Sequence, residues 1–326
     1  MGYAAQKKKT EEKKKRLKRV AVIVAAVLIA ALCVLTAFYP ASSWKYYFAL
    51  PKVQAIGEGE MRIHFLSVGE SDATIVEFPD GKKMLIDGGD SSEKSAETVL
   101  RYLNALKIKT LDYLVVTSVK NDRTGALDKV LSYKEVKRAI LPKAEGDAGT
   151  EYAEAYVEIT KRNIPFDYAL NSLIVSEAEY GYTFAVLSPN RQVTEEEVEN
   201  DAAENSAVLW FSCQDVSALL CGDVSATRLN TLVSADKIGV LQSGVSLVGT
   251  QIVKVADNGK SGAVNAATLA YLQAETAIVS CGNNPYKPAE DTLQTLADCG
   301  LETLRTDESG HIVLTIKEGK YEVTAN

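Results

Sequence analysis

Residues 61–89 read MRIHFLSVGESDATIVEFPDGKKMLIDGG, a run in which short apolar segments alternate with turn-forming residues. Met61–Val68, Ala73–Phe78 and Lys83–Asp87 have the length and apolar content of buried strands. Pro79-Asp80-Gly81-Lys82 has the composition of a hairpin turn between the last two segments. The sequence therefore predicts three consecutive strands at the start of the folded part.

Beyond residue 89, helical and strand patterns alternate along the chain. Apolar residues at helical spacing in Ser91–Leu106 predict a helix, with Ser91 or Ser92 as its N-cap. Two mixed sheets with helices on their outer faces are the natural packing for such an order of elements. Further helices are predicted at Gly149–Arg162, Ala226–Ser234, Gly262–Leu272 and Glu290–Cys299, and further strands at Leu111–Thr117, Thr183–Leu187, Ala207–Cys213, Ser217–Cys221, Ile252–Val255, Ala277–Cys281 and His311–Ile316.

Several loops at the predicted strand ends carry Gly, Asp or Asn residues. In their order the chain resembles the metallo-β-lactamase-fold hydrolases, and within them the β-lactamase-like domain of the DNA-uptake protein ComEC. The resemblance runs from Met61 to about Val323 and implies an αββα sandwich, an α/β fold. It is carried by His64-Phe65-Leu66, VGESDA at 68–73, LIDGG at 85–89, TSVKNDRTG at 117–125, Asn205-Ser206, LCGD at 220–223, NNPYKP at 283–288 and Arg305-Thr306-Asp307.

The metal-binding motif that this resemblance implies is degenerate. The ligand positions of the family pattern Thr-His-x-His-x-Asp-His-x-Gly-Gly read Ser118, Lys120, Asp122 and Arg123 here, so only the Asp remains. The later family pattern Lys-Val-x-His-His-Gly-Ser reads KVADNGK at 254–260. Asp223, which bridges the metals in the family, is retained, whereas the family's Gly-His-Pro reads Tyr286-Lys287-Pro288. The relic site therefore comprises Ser118, Lys120, Asp122, Arg123, Asp223, Asp257 and Asn258.

A zinc site of the family type is not expected from these residues. Zinc prefers imidazole and thiolate donors, and protonated Lys and Arg donate no electron pair. The chain has only two histidines, His64 and His311, which we expect to be structural. We hypothesise instead that Lys120 and Arg123 form ion pairs with the carboxylates and replace the metal charges. No cofactor is then expected.

Other interpretations of the loop remain open at this point. Ser118–Arg123 is also compatible with an ordinary solvated loop, or with a Ser118–Lys120 nucleophile pair. A single magnesium or manganese ion on Asp122, Asp223 and Asp257 would give a phosphodiesterase- or nuclease-type hydrolase. Asp72 and Asp87 are either remnants of the metal site's surroundings or caps of turn amides.

The first sixty residues have the features of a membrane anchor. Residues 1–19 carry nine basic and two acidic side chains, and Val20–Phe38 has no charged residue. A helix of that length, at about 1.5 Å per residue, nearly crosses a hydrocarbon core of about 30 Å. Phe38-Tyr39-Pro40 is a poor cleavage site, which disfavours a cleaved signal peptide. We expect a basic cytoplasmic tail (1–19), a transmembrane anchor (20–39), a linker (40–60) and an extracytoplasmic metallo-β-lactamase-like domain (61–326).

Charge and cysteine content limit the function classes. The chain has a net charge of −7, and the part after residue 19 has −14, which argues against general nucleic-acid binding. An extracytoplasmic location would permit disulfides, but burial as free thiols is the favoured interpretation. The cysteines of the folded part are Cys213, Cys221, Cys281 and Cys299.

Taken together, these features predict a membrane-anchored binding or regulatory pseudoenzyme on the outer side of the membrane. Its cleft, lined by Lys120, Arg123 and Lys260, would take an anionic ligand such as a phosphate ester. The alternative is the metal-dependent hydrolase. A role in DNA uptake rests on fold analogy alone.

Overall fold

The computed structural model describes residues 2–38, 41–144, 149–242, 244–284 and 288–325. It divides into two compact units, Met1–Leu50 and Pro51–Asn326. The helices are α1 (Gly2–Phe38), α2 (Glu93–Ala105), α3 (Asn121–Thr124), α4 (Leu127–Tyr133), α5 (Thr150–Lys161), α6 (Glu195–Asn200), α7 (Ala226–Lys237), α8 (Ala266–Leu272), α9 (Glu290–Asp298) and α10 (Thr306–Ser309).

The first unit is dominated by one long helix. Within α1, the segment Glu11–Ala37 is long and apolar enough to cross a membrane, with a mean hydropathy of 3.0 in its most apolar window. A short 3₁₀ helix, Ala41–Tyr46, follows it. Tyr39 and Pro40, at the predicted end of the anchor, lie outside the described residues.

The second unit contains two large mixed sheets. The first has the strand order β17-β16-β1-β2-β3-β5-β7-β8, the second has β15-β14-β13-β12-β11-β10-β9, and β4 and β6 form a small pair. The strands are β1 (Met61–Phe65), β2 (Thr74–Glu77), β3 (Lys83–Ile86), β4 (Thr110–Leu111), β5 (Tyr113–Val115), β6 (Glu135–Val136), β7 (Ala139–Leu141), β8 (Phe166–Tyr168), β9 (Ile174–Glu177), β10 (Tyr182–Ser188), β11 (Val208–Cys213), β12 (Val216–Leu220), β13 (Ile252–Lys254), β14 (Thr276–Val279), β15 (Glu302–Arg305), β16 (Ile312–Lys317) and β17 (Lys320–Ala325).

The three strands predicted from residues 61–89 are present and antiparallel. Arg62 pairs with Glu77 between β1 and β2, and Thr74 pairs with Ile86 between β2 and β3. The Phe78 N–H donates to the Lys82 carbonyl at 3.0 Å and closes the predicted hairpin. The sheet becomes parallel at the β3–β5 pair, so the loops after these two strands leave the sheet at the same edge.

The second sheet has the same division into antiparallel and parallel halves. The predicted hairpin between β11 and β12 is present, and Gln214 and Asp215 have positive φ values of 51° and 71°. Positive φ at both central residues is the geometry of a type I′ hairpin turn. From β12 to β15 the strands are parallel, which brings the loops after β12, β13 and β14 to one edge.

The core lies between the two sheets, and helices cover their outer faces. Phe78 from the first sheet contacts Phe184 and Phe211 from the second, with ring centroids 5.8 and 6.4 Å apart. On the outer face of the second sheet, a second apolar cluster joins alternate residues of β10–β12 to α7, α8 and α9. On the first sheet, Tyr102 of α2 contacts His64 of β1. This layering is an αββα sandwich.

Several predicted elements have different bounds. Leu111–Thr117 is two short strands rather than one, because β4 pairs with β6 while β5 joins the first sheet. The helix predicted from Gly262 begins at Ala266, where the Asn265 side chain accepts the Thr268 N–H. The elements that the sequence pattern missed are the short or polar ones: α3, α4, α6, α10, β6–β9, β15 and β17.

Candidate functional site: an ion-pair cluster at the edge of the sandwich

Loops from both sheets meet at one edge of the sandwich. The loop after β1 supplies Asp72, whose N–H donates to the Asp122 carbonyl at 3.1 Å. The loop after β5 leads into α3, which carries Arg123. The loop after β12 supplies Asp223, and the Asp257 N–H beyond β13 donates to the Gly222 carbonyl at 3.0 Å. The sheet topology therefore brings most of the predicted relic site together.

Arg123 is the centre of this cluster. Its side chain is fully buried, and its guanidinium forms ion pairs with both Asp72 and Asp223. Asp72 and Asp223 are 2% and 0% exposed. Two buried carboxylates need a cationic partner because an uncompensated buried charge is strongly destabilising. One planar guanidinium supplies that partner to both.

Lys120 adds a second cation at the solvent side. Its Nζ lies 3.0 Å from Asp223 Oδ2 and 3.9 Å from Asp122 Oδ2. Burial lowers the pKa of Lys120, but Asp223 and Asp122 outweigh burial, so the pKa lies above the usual range. For Asp223, burial raises the pKa, but Arg123 and Lys120 outweigh it, so the pKa lies below its usual range. The cluster thus holds these groups in their charged forms.

Asp122 is at the edge of the cluster. Its carboxylate is 24% exposed and lies 3.6 Å from Arg123 Nε. Burial and then the neighbouring Asp223 raise the pKa of Asp122 to about 6. In the structure, Lys120 and Arg123 form ion pairs with Asp223 and lie within 4 Å of Asp122, which is the arrangement that the ion-pair hypothesis expects of these residues. An ordinary solvated loop is wrong, because Arg123 is fully buried.

Lys254 is a member of the cluster that the sequence does not predict. It is 3% exposed, and its Nζ lies 2.7 Å from Asp72 Oδ1. Burial, with Arg123 as the next cause, lowers the pKa of Lys254 to about 7. Asp72 therefore lies between the Arg123 guanidinium and the Lys254 amino group. The retained Lys of the KVADNGK motif was the available sequence signal for this role.

Asp87 holds the loop that leads to α3. Its carboxylate accepts the Thr117 N–H at 2.7 Å and the Thr117 hydroxyl at 2.6 Å. Burial raises the pKa of Asp87 to about 8. Of the two interpretations of Asp87, a cap of loop amides is the one that these contacts fit.

Two predicted site residues have other local partners. Asp257 pairs with Lys260 at 2.5 Å. Asn258 is fully buried, and its Nδ2 donates to the Ser280 carbonyl at 2.9 Å. Its φ is 53°, a left-handed conformation that Asn tolerates. The Asn258 amide therefore helps to hold the loop after β13 in place.

The Ser118–Lys120 nucleophile pair is not formed. The Ser118 hydroxyl donates to the Ala202 carbonyl at 3.0 Å, whereas the Lys120 ammonium is directed to Asp223. Tyr286 and Lys287, at the position of the family's Gly-His-Pro, lie outside the described residues.

Both histidines have structural partners. His64 is buried, with Nδ1 3.0 Å from the Tyr102 hydroxyl and Nε2 3.2 Å from Glu77. Burial lowers the pKa of His64. His311 Nδ1 accepts the Ser67 N–H at 3.1 Å. The cysteines are free thiols, and Cys299 is only partly buried, unlike Cys213, Cys221 and Cys281.

The described residues do not fit a two-metal centre. Within the described ranges there is no group of three or more His, Cys, Asp or Glu side chains arranged to hold a metal ion. The two most buried carboxylates, on Asp72 and Asp223, already have Arg123 between them. A metal ion there would have to displace a guanidinium and would lie close to Lys120 and Lys254, which would repel it.

Comparisons with known proteins agree with the αββα fold described above. The chain is 25% identical over 284 residues to ComE operon protein 3 of Bacillus subtilis, a match that covers 81% of this chain and 34% of that protein. A variant of the CmlA β-hydroxylase superposes on 81% of this chain and 55% of its own, with a TM-score of 0.50 and 10% identity. This chain has the metallo-β-lactamase fold. The metallo-β-lactamase-fold protein YhfI of Bacillus subtilis matches 81% of this chain and 99% of its own, with a TM-score of 0.49 and 11% identity.

The predicted resemblance and the predicted αββα sandwich are thereby confirmed, as is an apolar N-terminal helix that is a candidate membrane span. The chain spans about a third of the length of ComE operon protein 3. No protein-family profile matches the chain.

Proposed function

We propose that this protein is a membrane-anchored pseudoenzyme, in which a metallo-β-lactamase-fold domain serves binding or regulation rather than metal-dependent hydrolysis. The observation that carries the proposal is the buried Arg123 guanidinium, which pairs with Asp72 and Asp223. Hydrolysis in a metal centre requires an activated water on the ion. A guanidinium supplies positive charge, but it does not coordinate a water molecule and therefore does not lower the pKa of that water.

The proposed location is a single-pass arrangement with the 1–19 tail in the cytoplasm and the 61–326 domain outside. The candidate span Glu11–Ala37 and the nine basic side chains of residues 1–19, at the N-terminal end of that helix, support this orientation. The intervening segment, 40–60, would act as the linker. The membrane is then the one partner that the N-terminal helix implies.

The proposed ligand of the cleft is a small anion such as a phosphate ester. Lys120 and Lys260 are the partly exposed cations there, at 33% and 37%. Each of these lysines is paired with a carboxylate, which holds its ammonium group in a defined position. Charge-assisted hydrogen bonds from ammonium groups are the interaction that recognises phosphate.

The test of inactivity uses the full chain in detergent, exposed to zinc or manganese and then desalted. We expect less than about 0.1 metal ion per chain, and no hydrolysis of bis(p-nitrophenyl) phosphate above the rate of Asp223→Asn. The Asp223→Asn variant is checked for folding by its melting temperature. Stoichiometric metal together with manganese-dependent hydrolysis that Asp223→Asn abolishes would establish the hydrolase alternative.

The ligand proposal is tested separately by thermal stabilisation. A ligand that binds only the folded state raises the melting temperature by mass action. Millimolar p-nitrophenyl phosphate should raise the melting temperature without turnover, and Lys260→Ala should remove most of the shift. Lys161→Ala, an exposed lysine on α5, is the control that should retain it. An unchanged shift in Lys260→Ala would refute the ligand assignment.

A further inference from the structure

A second polar cavity lies on the outer face of the first sheet and shares no lining residue with the ion-pair cluster. It has a volume of about 540 Å³ and is lined by residues of β1, β16 and β17, by Tyr102 of α2, and by Val53, Gln54 and Glu60 before β1. Small-molecule sites are commonly concavities of about 300–1,000 Å³. The segment before β1 therefore closes one side of a ligand-sized space.

The lining of this cavity has more cations than acids. Arg62, Lys317 and Lys320 contribute three positive charges, and Glu60 and Glu322 contribute two negative ones. The rest of the folded part is strongly acidic, since the chain after residue 19 has a net charge of −14. A locally positive concavity in an acidic domain concentrates small anions.

Glu60 is already fully engaged within the cavity wall. Its carboxylate accepts from Arg62 at 2.8 Å, from Lys317 at 3.3 Å and from the Gly57 N–H at 2.8 Å. The backbone bond from Gly57 is the largest cause that lowers the pKa of Glu60, so this carboxylate stays charged. One carboxylate therefore serves two cations.

Two donors in this wall lack an acceptor of their own. The Nε of Arg62 is buried and has no hydrogen-bond partner among the described residues, while the Arg62 side chain is only 10% exposed. Lys320, on the edge strand β17, has no ion-pair partner in the described part of the chain. A buried guanidinium held on the cavity wall by Gln54 and Glu60 is a rigid cation rather than a mobile surface charge.

We propose that this cavity binds a small organic oxyanion, a carboxylate or phosphate group, with Lys317 and Lys320 as its main contacts and Arg62 as the fixed cation behind them. Carboxylate and phosphate present the same feature to these residues, a compact group of acceptor oxygens with negative charge. The proposal is independent of the cleft at the ion-pair cluster, because the two sites share no residue.

The experiment measures melting temperatures of the full chain in detergent with sodium succinate or sodium phosphate. Sodium chloride at equal ionic strength is the reference, because it reproduces screening without an oxyanion. We expect a rise of at least 2 °C at 10 mM of one of the two salts. The salt that gives the larger rise identifies the carboxylate or the phosphate as the natural group.

Variants separate this cavity from the cleft. Lys317→Ala and Lys320→Ala should each lose at least half of the shift, and the double variant should lose nearly all of it. Lys260→Ala, in the cleft, should keep the shift. Lys317 ends β16 and Lys320 begins the edge strand β17, and both residues are exposed, so folding is expected to survive their removal.

Three results would overturn the proposal: no shift beyond sodium chloride with either salt, an equal shift in the double variant, or loss of the shift in Lys260→Ala alone. The last result would assign the anion to the cleft and so support the cleft ligand while refuting this cavity.

Discussion

At the residue scale, a single guanidinium compensates the two buried negative charges of the site. Arg123 serves two carboxylates that are almost fully buried, so its removal leaves two charges without their shared partner. Such losses are much larger than those of surface ion pairs, because water cannot screen the remaining charges. Arg123 is therefore structural in effect.

We predict that Arg123→Met lowers the free energy of unfolding by about 3–5 kcal/mol at pH 7. The folded-state pKa of Asp223 is depressed, so its ion pair stabilises the fold above an unfolded pKa of about 3.9. That contribution disappears as the pH falls through the folded pKa. Urea unfolding should therefore show a smaller loss at pH 3 than at pH 7.

The control for this prediction is Arg101→Met on α2. Arg101 pairs with Glu97 at 2.9 Å, and both side chains are about a third exposed. Removal of this pair should cost less than about 1 kcal/mol at pH 7. Equal losses from Arg123→Met at pH 3 and pH 7 would contradict the electrostatic account and leave only a packing effect.

The sequence predicted those residues of the site that are close together in one loop or that belong to a motif. Lys120, Asp122 and Arg123 occupy one loop, and the motif order placed Asp223 opposite them. Asp72 and Lys254 were not predicted to be partners, because their contact joins the loop after β1 in the first sheet to the end of β13 in the second. The periodicity and spacing of residues in a sequence do not show which carboxylate forms an ion pair with which cation.

At the element scale, the turn after β12 determines where Asp223 lies. Gly222 has a φ of 57°, and a Cβ there would lie 2.4 Å from Ser206 Oγ and 2.6 Å from the Ala207 carbonyl oxygen. The Asp223 N–H donates to the same Ser206 hydroxyl at 3.1 Å. The turn and the strand entry at Asn205-Ser206 therefore form one rigid unit behind the ion-pair cluster.

We predict that Gly222→Ala destabilises the fold by more than its backbone strain alone. Gly239 is a matched control, since its φ is 68° and a Cβ there would meet no atom within 4 Å. Gly239→Ala should cost about 1–2 kcal/mol through strain, and Gly222→Ala about 1–3 kcal/mol more through overpacking. Equal losses in urea unfolding would show that the close approach at Gly222 relaxes freely.

Regular elements were predicted well and short ones poorly. The three strands of 61–89 and the β11–β12 hairpin have strong apolar patterns and turn residues, and all are present. By contrast, β6 and β8 contain two and three residues and pair only through tertiary contacts. Strands of this length have too few residues for a periodic pattern.

At the scale of the whole molecule, the proposed orientation makes a labelling prediction. Glu179 is an exposed residue in the turn between β9 and β10. In intact cells, Glu179→Cys should react with a membrane-impermeant maleimide, whereas Lys8→Cys should react only after lysis. The unsubstituted chain, whose cysteines are buried, partly buried or in α1, gives the background. Labelling of Lys8→Cys alone in intact cells would reverse the topology.

The scaffold should also regain a metal centre when imidazoles are restored. The substitutions Lys120→His, Arg123→His, Asp257→His and Asn258→His return the donor types that zinc prefers. The quadruple variant should bind zinc with an affinity at least 100-fold above that of the original chain, measured by competition with a fluorescent chelator. No gain in affinity in a folded variant would show that more than side-chain charge separates this chain from metal binding.

The most direct test is a crystal structure of the chain grown with excess zinc, examined by anomalous scattering at the zinc edge. The account predicts no zinc peak in the cleft and Arg123 between Asp72 and Asp223, as in the structure described above. Two zinc peaks about 3.5–4 Å apart in contact with Asp223, with Arg123 displaced, would contradict it.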